Sequence, residues 1–267
     1  MKNKEKTREG LLKGGMPYIA VGGGPPLVYM RSLPVSEKMY KYELKILSLL
    51  AHSFTVYAVD RKPGIKKGAT MRDLASGYAH AIESEFGEAV NIMGLSTSGS
   101  IAQQFAIDFP HLVRKLVLVA TAYRLGSEGK KLQLKYANLL AQGRFRDAAR
   151  VFFPAAFAES SFSQWFLGWI MWLVEPLFRP TNPEDLINTL LADDRFDAEE
   201  DLHKITAPTL LIGGDRDFFY PEELLRRTAN LIPNSRLIIY PGRKHIEVET
   251  YSRFASDVVS FLTNEIH

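Results

Sequence analysis

Three polar residues, Ser96, Asp217 and His245, have the types and the chain order that nucleophilic catalysis needs. In such a set the serine hydroxyl attacks, the histidine takes its proton and the carboxylate orients the imidazole. Each of the three follows an apolar run that is typical of a buried strand. Because ligands bind at the carboxyl ends of the strands in an open parallel sheet, we expect the three side chains to meet there.

Ser96 stands in the stretch GLSTSGS, between the apolar run AVNIM and a helical pattern that begins at Ile101. A nucleophile elbow has the pattern G-x-S-x-G, and here Ser98 occupies the place of the second glycine. Gly94 and Ser98 are both small, as close packing of a strand against the following helix requires. The alternative is an ordinary strand–helix turn in which Ser96 caps the helix.

Asp217 lies in GGDRDFFYP and His245 in YPGRKHIEVE, each just after a predicted strand. Asp215 is a second candidate acid in the same loop, and either carboxylate could instead serve a turn or a helix cap. Of the six histidines, only His245 follows a strand and precedes the last helical pattern. Taken alone, His245 would more often be a surface residue.

Short apolar runs alternate with amphipathic helical patterns along the chain, which predicts a mostly parallel sheet flanked by helices. The predicted strands cover residues 18–21, 26–30, 54–59, 90–95, 115–121, 208–214 and 236–240. The clearest predicted helices cover residues 36–50, 71–85 and 248–262.

Residues 123–205 contain no strand pattern and are rich in Phe and Trp. We expect them to form a helical lid inserted into a core made of residues 1–122 and 206–267. Trp165, Trp169 and Trp172 are spaced to share one helical face. That face either binds an apolar or aromatic substrate or attaches the lid to the core.

The composition of the 267 residues excludes several kinds of site and partner. The net charge of +3 is too small to indicate nucleic acid binding. The absence of cysteine excludes disulfides and thiolate sites, and no cluster has metal-ligand spacing. We interpret the charged start MKNKEKTREG as a frayed terminus of a cytoplasmic protein. The longest apolar run, WFLGWIMWLV, is about half of the roughly 20 residues that a membrane span needs.

Taken together, these features resemble the α/β-hydrolase fold family, in particular its serine esterases, lactonases and cofactor-free haloperoxidase-like members. The resemblance covers nearly the whole chain and is carried by GGGPPLVYM, VYAVDRKPG, FPHLVRKLVLVAT and PTLLIGGDRDFFYP. In the family the acid follows the last glycine of its strand by three residues, which selects Asp217 over Asp215. The resemblance implies a Ser-His-Asp triad and an acyl-enzyme that cleaves a small ester or lactone without a metal or organic cofactor.

The resemblance also implies an oxyanion hole formed by the backbone amides of Leu33 and Thr97. Arg31-Ser32 stands where family members usually carry His-Gly, and Lys244 stands where a glycine usually precedes the histidine. Two alternatives stay open on the sequence. One is a degenerate fold that binds a small ligand, and the other is a C–C bond hydrolase or haloperoxidase-like enzyme with the same triad. The oligomeric state also stays open.

Arg31 comes directly after the predicted strand 26–30, so we expect it at the rim of the pocket. The loop after the predicted strand 54–59 adds Arg61, Lys62, Lys66 and Lys67. A cationic rim of this kind would favour an anionic small-molecule substrate, because arginine binds carboxylates through paired hydrogen bonds. The alternative is that all five are solvated surface charges.

Overall fold

The computed structural model describes residues 7–33, 43–44, 47–157, 161–177 and 179–264. Within those residues eight strands form one sheet, in the order β1-β2-β4-β3-β5-β6-β7-β8. The strands from β3 to β8 are parallel to one another, and only β1 and β2 are antiparallel to their neighbours. The strands are β1 (Arg8–Leu11), β2 (Pro17–Val21), β3 (Pro26–Met30), β4 (Thr55–Val59), β5 (Val90–Leu95), β6 (Val113–Val119), β7 (Thr209–Gly214) and β8 (Ser235–Tyr240).

All seven predicted strands are present, with bounds that differ from the prediction by at most two residues. The central strands are the clearest in sequence because both of their faces are buried. In β6, Leu116 and Leu118 pack into the core on one face of the sheet, and Val117 and Val119 pack into the core on the other. The predicted α/β fold with a mostly parallel sheet is therefore confirmed.

The prediction of a frayed terminus, made for residues 1–10, was wrong for residues 8–10. Together with Leu11 they form β1, which pairs antiparallel with β2 from Arg8 opposite Ala20 to Leu11 opposite Pro17. All four residues of β1 are exposed, so the strand has no alternation of apolar and polar residues. Its pairing depends on backbone hydrogen bonds, which a side-chain pattern does not reveal.

Helices cover both faces of the sheet. They are α1 (Met71–Phe86), α2 (Thr97–Asp108), α3 (Ser127–Ala141), α4 (Phe145–Phe157), α5 (Ser161–Val174), α6 (Pro183–Asp194), α7 (Glu222–Leu231) and α8 (Phe254–Thr263). The helix predicted at 71–85 is α1, which begins with a capping box between Thr70 and Asp73 and ends at Gly87. The helix predicted at 36–50 lies largely outside the described residues.

The last helix is shorter than predicted, because α8 begins at Phe254 and not at residue 248. The preceding segment forms turns, with hydrogen bonds from the Tyr251 amide to the Val248 carbonyl and from the Phe254 amide to the Tyr251 carbonyl. Those turns follow a short 3-10 helix, His245–Glu247, that carries the candidate histidine. The apolar periodicity continues across both conformations, so it did not mark the boundary.

Four helices, α3 to α6, connect β6 to β7, and the described residues between those strands contain no strand. Three of them, α3, α4 and α6, share a small apolar core, to which α3 contributes Tyr136 and Leu140, α4 contributes Ala148, and α6 contributes Leu186 and Leu190. No helix in the described parts of the chain is both long enough and apolar enough to cross a bilayer.

Two glycines let α2 begin directly after β5. A Cβ atom on Gly94 would lie 2.5 Å from the carbonyl oxygen of Ser98, and one on Gly99 would lie 2.3 Å from Cγ2 of Thr121. Real Cβ atoms do not approach other atoms so closely. The absence of side chains at 94 and 99 therefore permits the close contact between the first turn of α2 and the ends of β5 and β6.

We expect Gly99→Ala to destabilise the protein by about 1–3 kcal/mol, because the added methyl group overpacks a fully occupied site. The matched control is Gly77→Ala, since Gly77 lies in α1 and a Cβ there meets nothing within 4 Å. That control should be neutral or stabilising by up to about 1 kcal/mol, because alanine favours a helix. Unfolding in urea measures the free energy of unfolding of both variants. An equal change in the two variants would contradict the packing argument.

Candidate active site

Ser96 lies between β5 and α2 in a backbone conformation that few residues other than glycine adopt. Its φ is 55° and its ψ is −126°, and its amide donates to the carbonyl of Val119 at 2.9 Å. Its side chain makes no capping hydrogen bond to α2, so the helix-cap alternative does not describe it. Strained conformations of this kind occur where the surrounding structure holds a functional group in place.

The serine at position 98 stabilises this turn. Its buried hydroxyl accepts a hydrogen bond from the amide of Leu95 and donates one to the carbonyl of the same residue, both at 2.9 Å. The side chain thus points back into the turn and away from His245. The close approach that a second glycine would permit occurs one residue later, at Gly99.

The structure brings Ser96, His245 and Asp217 together in one chain of hydrogen bonds. Nε2 of His245 lies 2.9 Å from Oγ of Ser96, and Nδ1 lies 2.7 Å from Oδ2 of Asp217. The other carboxylate oxygen of Asp217 accepts from the amides of Phe219 at 2.8 Å and Tyr220 at 3.0 Å. Asp217 and His245 are both buried, so water competes little for these bonds.

Asp215 lies elsewhere in the same loop. Its side chain is exposed, and Oδ1 accepts a hydrogen bond from the amide of Gly242 at 2.7 Å. Of the two candidate carboxylates, only Asp217 contacts the imidazole in the structure.

The surroundings of His245 favour its protonated form. Burial lowers the pKa of His245, but the charge and hydrogen bond of Asp217 more than offset it, so the pKa is raised. The negative charge of the Glu249 carboxylate raises the pKa of His245 further. The rings of Phe219 and Tyr220 lie against the imidazole, with centroids 5.0 Å and 5.8 Å away.

A cavity of about 420 Å³ opens beside Ser96 and His245. Its wall is mainly apolar, and the aromatic and aliphatic side chains that line it are Tyr29, Leu33, Leu47, Met93, Leu95, Val119, Leu125, Phe152, Phe153, Phe219, Tyr220, Ile246 and Phe254. Among the described residues, no three His, Asp or Glu side chains are grouped closely enough to hold a metal ion.

Leu33 and Thr97, the predicted oxyanion residues, both line this cavity. Thr97 is the first residue of α2, where helix amides have no partner within the helix. Neither amide donates to another group in the described part of the chain. The Thr97 hydroxyl donates to the buried carboxyl of Asp193 at 3.2 Å, which fixes the residue beside the cavity.

Two glutamates that the sequence reasoning missed also line the cavity. Glu43 accepts a hydrogen bond from the Tyr29 hydroxyl at 2.8 Å, and Glu249 has a buried oxygen with no partner among the described residues. Burial raises the pKa of Glu249 to about 7. The motif HIEVE is the sequence clue by which Glu249 could have been found, because it places a carboxylate four residues after His245. No comparable signal marks Glu43.

The structure corrects the expectation for Arg31. Its guanidinium is 12% exposed and forms ion pairs with Glu43 and Asp60, each at 2.9 Å. It is therefore neither a solvated charge nor a cation at the rim. No lysine or arginine is among the described residues that line the cavity at Ser96.

The other four residues of the predicted cationic rim do not line the cavity at Ser96 either. Arg61 is buried and donates to the backbone carbonyls of Arg31 and Ser32. Lys62, Lys66 and Lys67 are exposed. Arg31 and Arg61 thus hold the segment that leads to Leu33.

The tryptophans also lie away from the cavity. Trp165 and Trp169 on α5 are 56% and 44% exposed, and neither is among the described residues that line it. Trp172 is half-buried. Phe152 and Phe153 of α4 provide the aromatic lining instead. The periodicity correctly grouped the three indoles on one helix, but it could not show whether their side of the helix faces the cavity or the outside of the molecule.

The Alpha/beta hydrolase family profile matches residues 22–257, which is most of the chain. The chain belongs to this family. This α/β-hydrolase is 25% identical over 238 residues to the pimeloyl-[acyl-carrier protein] methyl ester esterase of Nitrosomonas europaea, covering 84% of this chain and 90% of that one. The enol-lactonase of Burkholderia xenovorans superposes with a TM-score of 0.75 at 21% identity, covering 96% of this chain and all of that one.

A third relative aligns over a shorter part of its length. The poly(3-hydroxyalkanoate) depolymerase of Ectopseudomonas oleovorans is 27% identical over 193 residues, which are 66% of this chain. The match spans 62% of that relative, less than two thirds of its length. Family and relatives agree that this α/β-hydrolase is a hydrolytic enzyme.

We expect Glu249→Gln to lower the pKa of His245, because it removes a carboxylate whose charge raises that pKa. The control Glu223→Gln removes an exposed charge on α7 and should leave the pKa unchanged. NMR titration of the histidine signals measures the pKa of His245. The signal of His245 is identified as the one that is lost in His245→Gln. If Glu249→Gln raised the pKa of His245 or left it unchanged, the charge of Glu249 would not act on the imidazole in this way.

Proposed function

We propose that this α/β-hydrolase is a serine hydrolase that cleaves a small ester or lactone through an acyl-enzyme. The observation that carries the proposal is the chain of hydrogen bonds from Asp217 through His245 to Oγ of Ser96, at the wall of an apolar cavity. A protein that only bound a ligand would have no need for a strained serine directed at a buried histidine.

In the proposed reaction, Nε2 of His245 takes the proton of Ser96 while Oγ attacks the substrate carbonyl carbon. The amides of Leu33 and Thr97 donate to the oxyanion that forms. The tetrahedral species collapses, and His245 returns the proton to the leaving alkoxide. A water molecule, deprotonated by His245, then attacks the acyl-enzyme and releases the acid and Ser96. Asp217 holds the required tautomer and stabilises the imidazolium.

We propose further that residues 123–205 act as a lid over the core formed by 1–122 and 206–267. Support comes from the cavity wall, to which α4 contributes Phe152 and Phe153 and α3 contributes Gln133. These side chains would cover the side of the cavity away from the sheet and exclude water from the acyl-enzyme.

The preferred substrate should carry an uncharged, apolar acyl group. The cavity wall is mainly apolar, its carboxyl side chains belong to Glu43 and Glu249, and no described lysine or arginine lines it. A carboxylate on the substrate would lose its hydration there and meet the carboxylate of Glu249, since the charge of Glu43 is already paired with Arg31.

This charge distribution also favours esters over the C–C bond alternative. The 2-hydroxy-6-oxononadienedioate/2-hydroxy-6-oxononatrienedioate hydrolase of a Pseudomonas species is 23% identical over 274 residues, covering 95% of this chain. Its named substrates are dicarboxylates. The described cavity offers no cation to pair with them, so the ester reaction is the better supported one.

A fluorophosphonate probe should label Ser96, and Ser96→Ala should lose both the label and ester turnover, the latter by about 10⁴-fold or more. Ser98→Ala is the matched control and should keep the label, since the hydroxyl of Ser98 is engaged with Leu95. Peptide mass spectrometry locates the adduct. A label on Ser98, or full turnover by Ser96→Ala, would contradict the proposed nucleophile.

For substrate charge, kcat/KM should be higher for p-nitrophenyl butyrate than for p-nitrophenyl hemisuccinate, about tenfold or more at pH 8. Glu249→Gln should reduce this preference for the neutral ester, because it removes the cavity carboxylate that is not paired with Arg31, whereas the surface control Glu223→Gln should not reduce it. A preference for the anionic ester would contradict the assignment.

A further inference from the structure

Helix α5 presents its apolar side chains to the outside of the molecule. Its sequence, SFSQWFLGWIMWLV, contains no charged residue. Six of its large apolar side chains are between 40% and 75% exposed, and they are Phe162, Trp165, Phe166, Trp169, Ile170 and Leu173. We call these six residues the α5 face.

The spacing shows that the α5 face is one continuous stripe. Its positions follow one another at i, i+3, i+4, i+7, i+8 and i+11 from Phe162, which is the periodicity of one side of a helix. Such a stripe normally faces a core, and here it faces outward. Exposed apolar patches of this size mark surfaces that bind a partner.

Two arginines of α4 border this face. Arg150 lies over the ring of Trp169 at 4.3 Å, and Arg146 lies over the ring of Trp172 at 4.6 Å. Within the described chain neither arginine forms an ion pair, whereas the nearby Arg144 is paired with Asp147 at 2.8 Å. The border of the α5 face thus carries two positive charges that have no carboxylate partner among the described residues.

We propose that the α5 face docks this enzyme onto a lipid bilayer that contains anionic lipid, with α5 lying in the plane of the interface. Apolar side chains enter the acyl boundary, and tryptophan favours the level of the headgroups. Arg146 and Arg150 pair with lipid phosphates. At 14 residues, α5 is shorter than the roughly 20 that a span requires, so it lies on the bilayer and does not cross it.

The α5 face is connected to the cavity at Ser96 through aromatic side chains. A groove of about 400 Å³ is lined by Trp165, Arg150 and Phe218. The ring of Phe218 lies 5.4 Å from that of Phe219, which lines the cavity. Docking would therefore place the cavity near membrane-dissolved esters. This consequence rests on the proposed function, whereas the docking does not.

The chain's own tryptophans report on the docking, because all three are in α5. We expect their emission to shift to the blue when vesicles containing phosphatidylglycerol are added, and much less with vesicles of phosphatidylcholine alone. Co-sedimentation provides the partition constant. Ser96→Ala should bind equally, so a failure of the proposed chemistry would leave the docking result intact.

Two double variants separate the apolar and charged contributions. Phe162→Ser with Leu173→Ser should weaken binding about tenfold or more, and its control changes two other exposed leucines, Leu11→Ser with Leu49→Ser. Arg146→Gln with Arg150→Gln should weaken binding to anionic vesicles by about tenfold or more. Its control, Arg8→Gln with Arg236→Gln, removes the same charge from exposed strand positions and should bind like the parent chain.

Three results would overturn the proposal. The first is no binding to either vesicle. The second is binding that the control variants weaken as much as the α5 and arginine variants do. The third is light scattering that gives the mass of two chains for the parent and of one for Phe162→Ser with Leu173→Ser, since the α5 face would then bind a second copy.

Discussion

The backbone conformation of Ser96 is the constraint on which the rest of the site depends. A residue other than glycine held at such dihedral angles costs on the order of 1–3 kcal/mol, so the surroundings must impose it. Gly94 and Gly99 do so by letting α2 start against β5 and β6. The parallel sheet, the glycines and the turn thus act together to present one hydroxyl to His245.

The loop after β7 completes the site through one carboxylate. Asp217 uses one oxygen to orient His245 and the other to accept the amides of Phe219 and Tyr220. The rings of those two residues lie against the imidazole and line the cavity. Phe152 of α4 packs against Phe219 with a centroid distance of 5.3 Å. The hydrogen bonds that orient His245 therefore also fix the part of the cavity wall against which α4 packs.

Much of this was predictable because it depends on local patterns. Buried parallel strands are continuously apolar, so β3 to β8 were found, and reactive side chains at strand ends marked the residues that the structure brings together. Features that depend on partners from distant segments were not predictable. Arg31 is neutralised by Glu43 and Asp60, which join it only in the fold. Backbone pairing alone forms β1, and periodicity cannot tell whether the stripe on α5 faces inward or outward.

The central claim is that Asp217, His245 and Ser96 act as one catalytic unit, and the pair Asp217→Asn and Asp215→Asn tests it most directly. Both variants replace one loop carboxylate with an amide of the same shape, but only Asp217 contacts the imidazole. The measurement is kcat/KM for p-nitrophenyl butyrate. The account predicts a loss of about 10³- to 10⁴-fold for Asp217→Asn, because the amide favours the wrong tautomer of His245, and a loss of no more than a few fold for Asp215→Asn. Equal losses in the two variants, or the greater loss in Asp215→Asn, would contradict it.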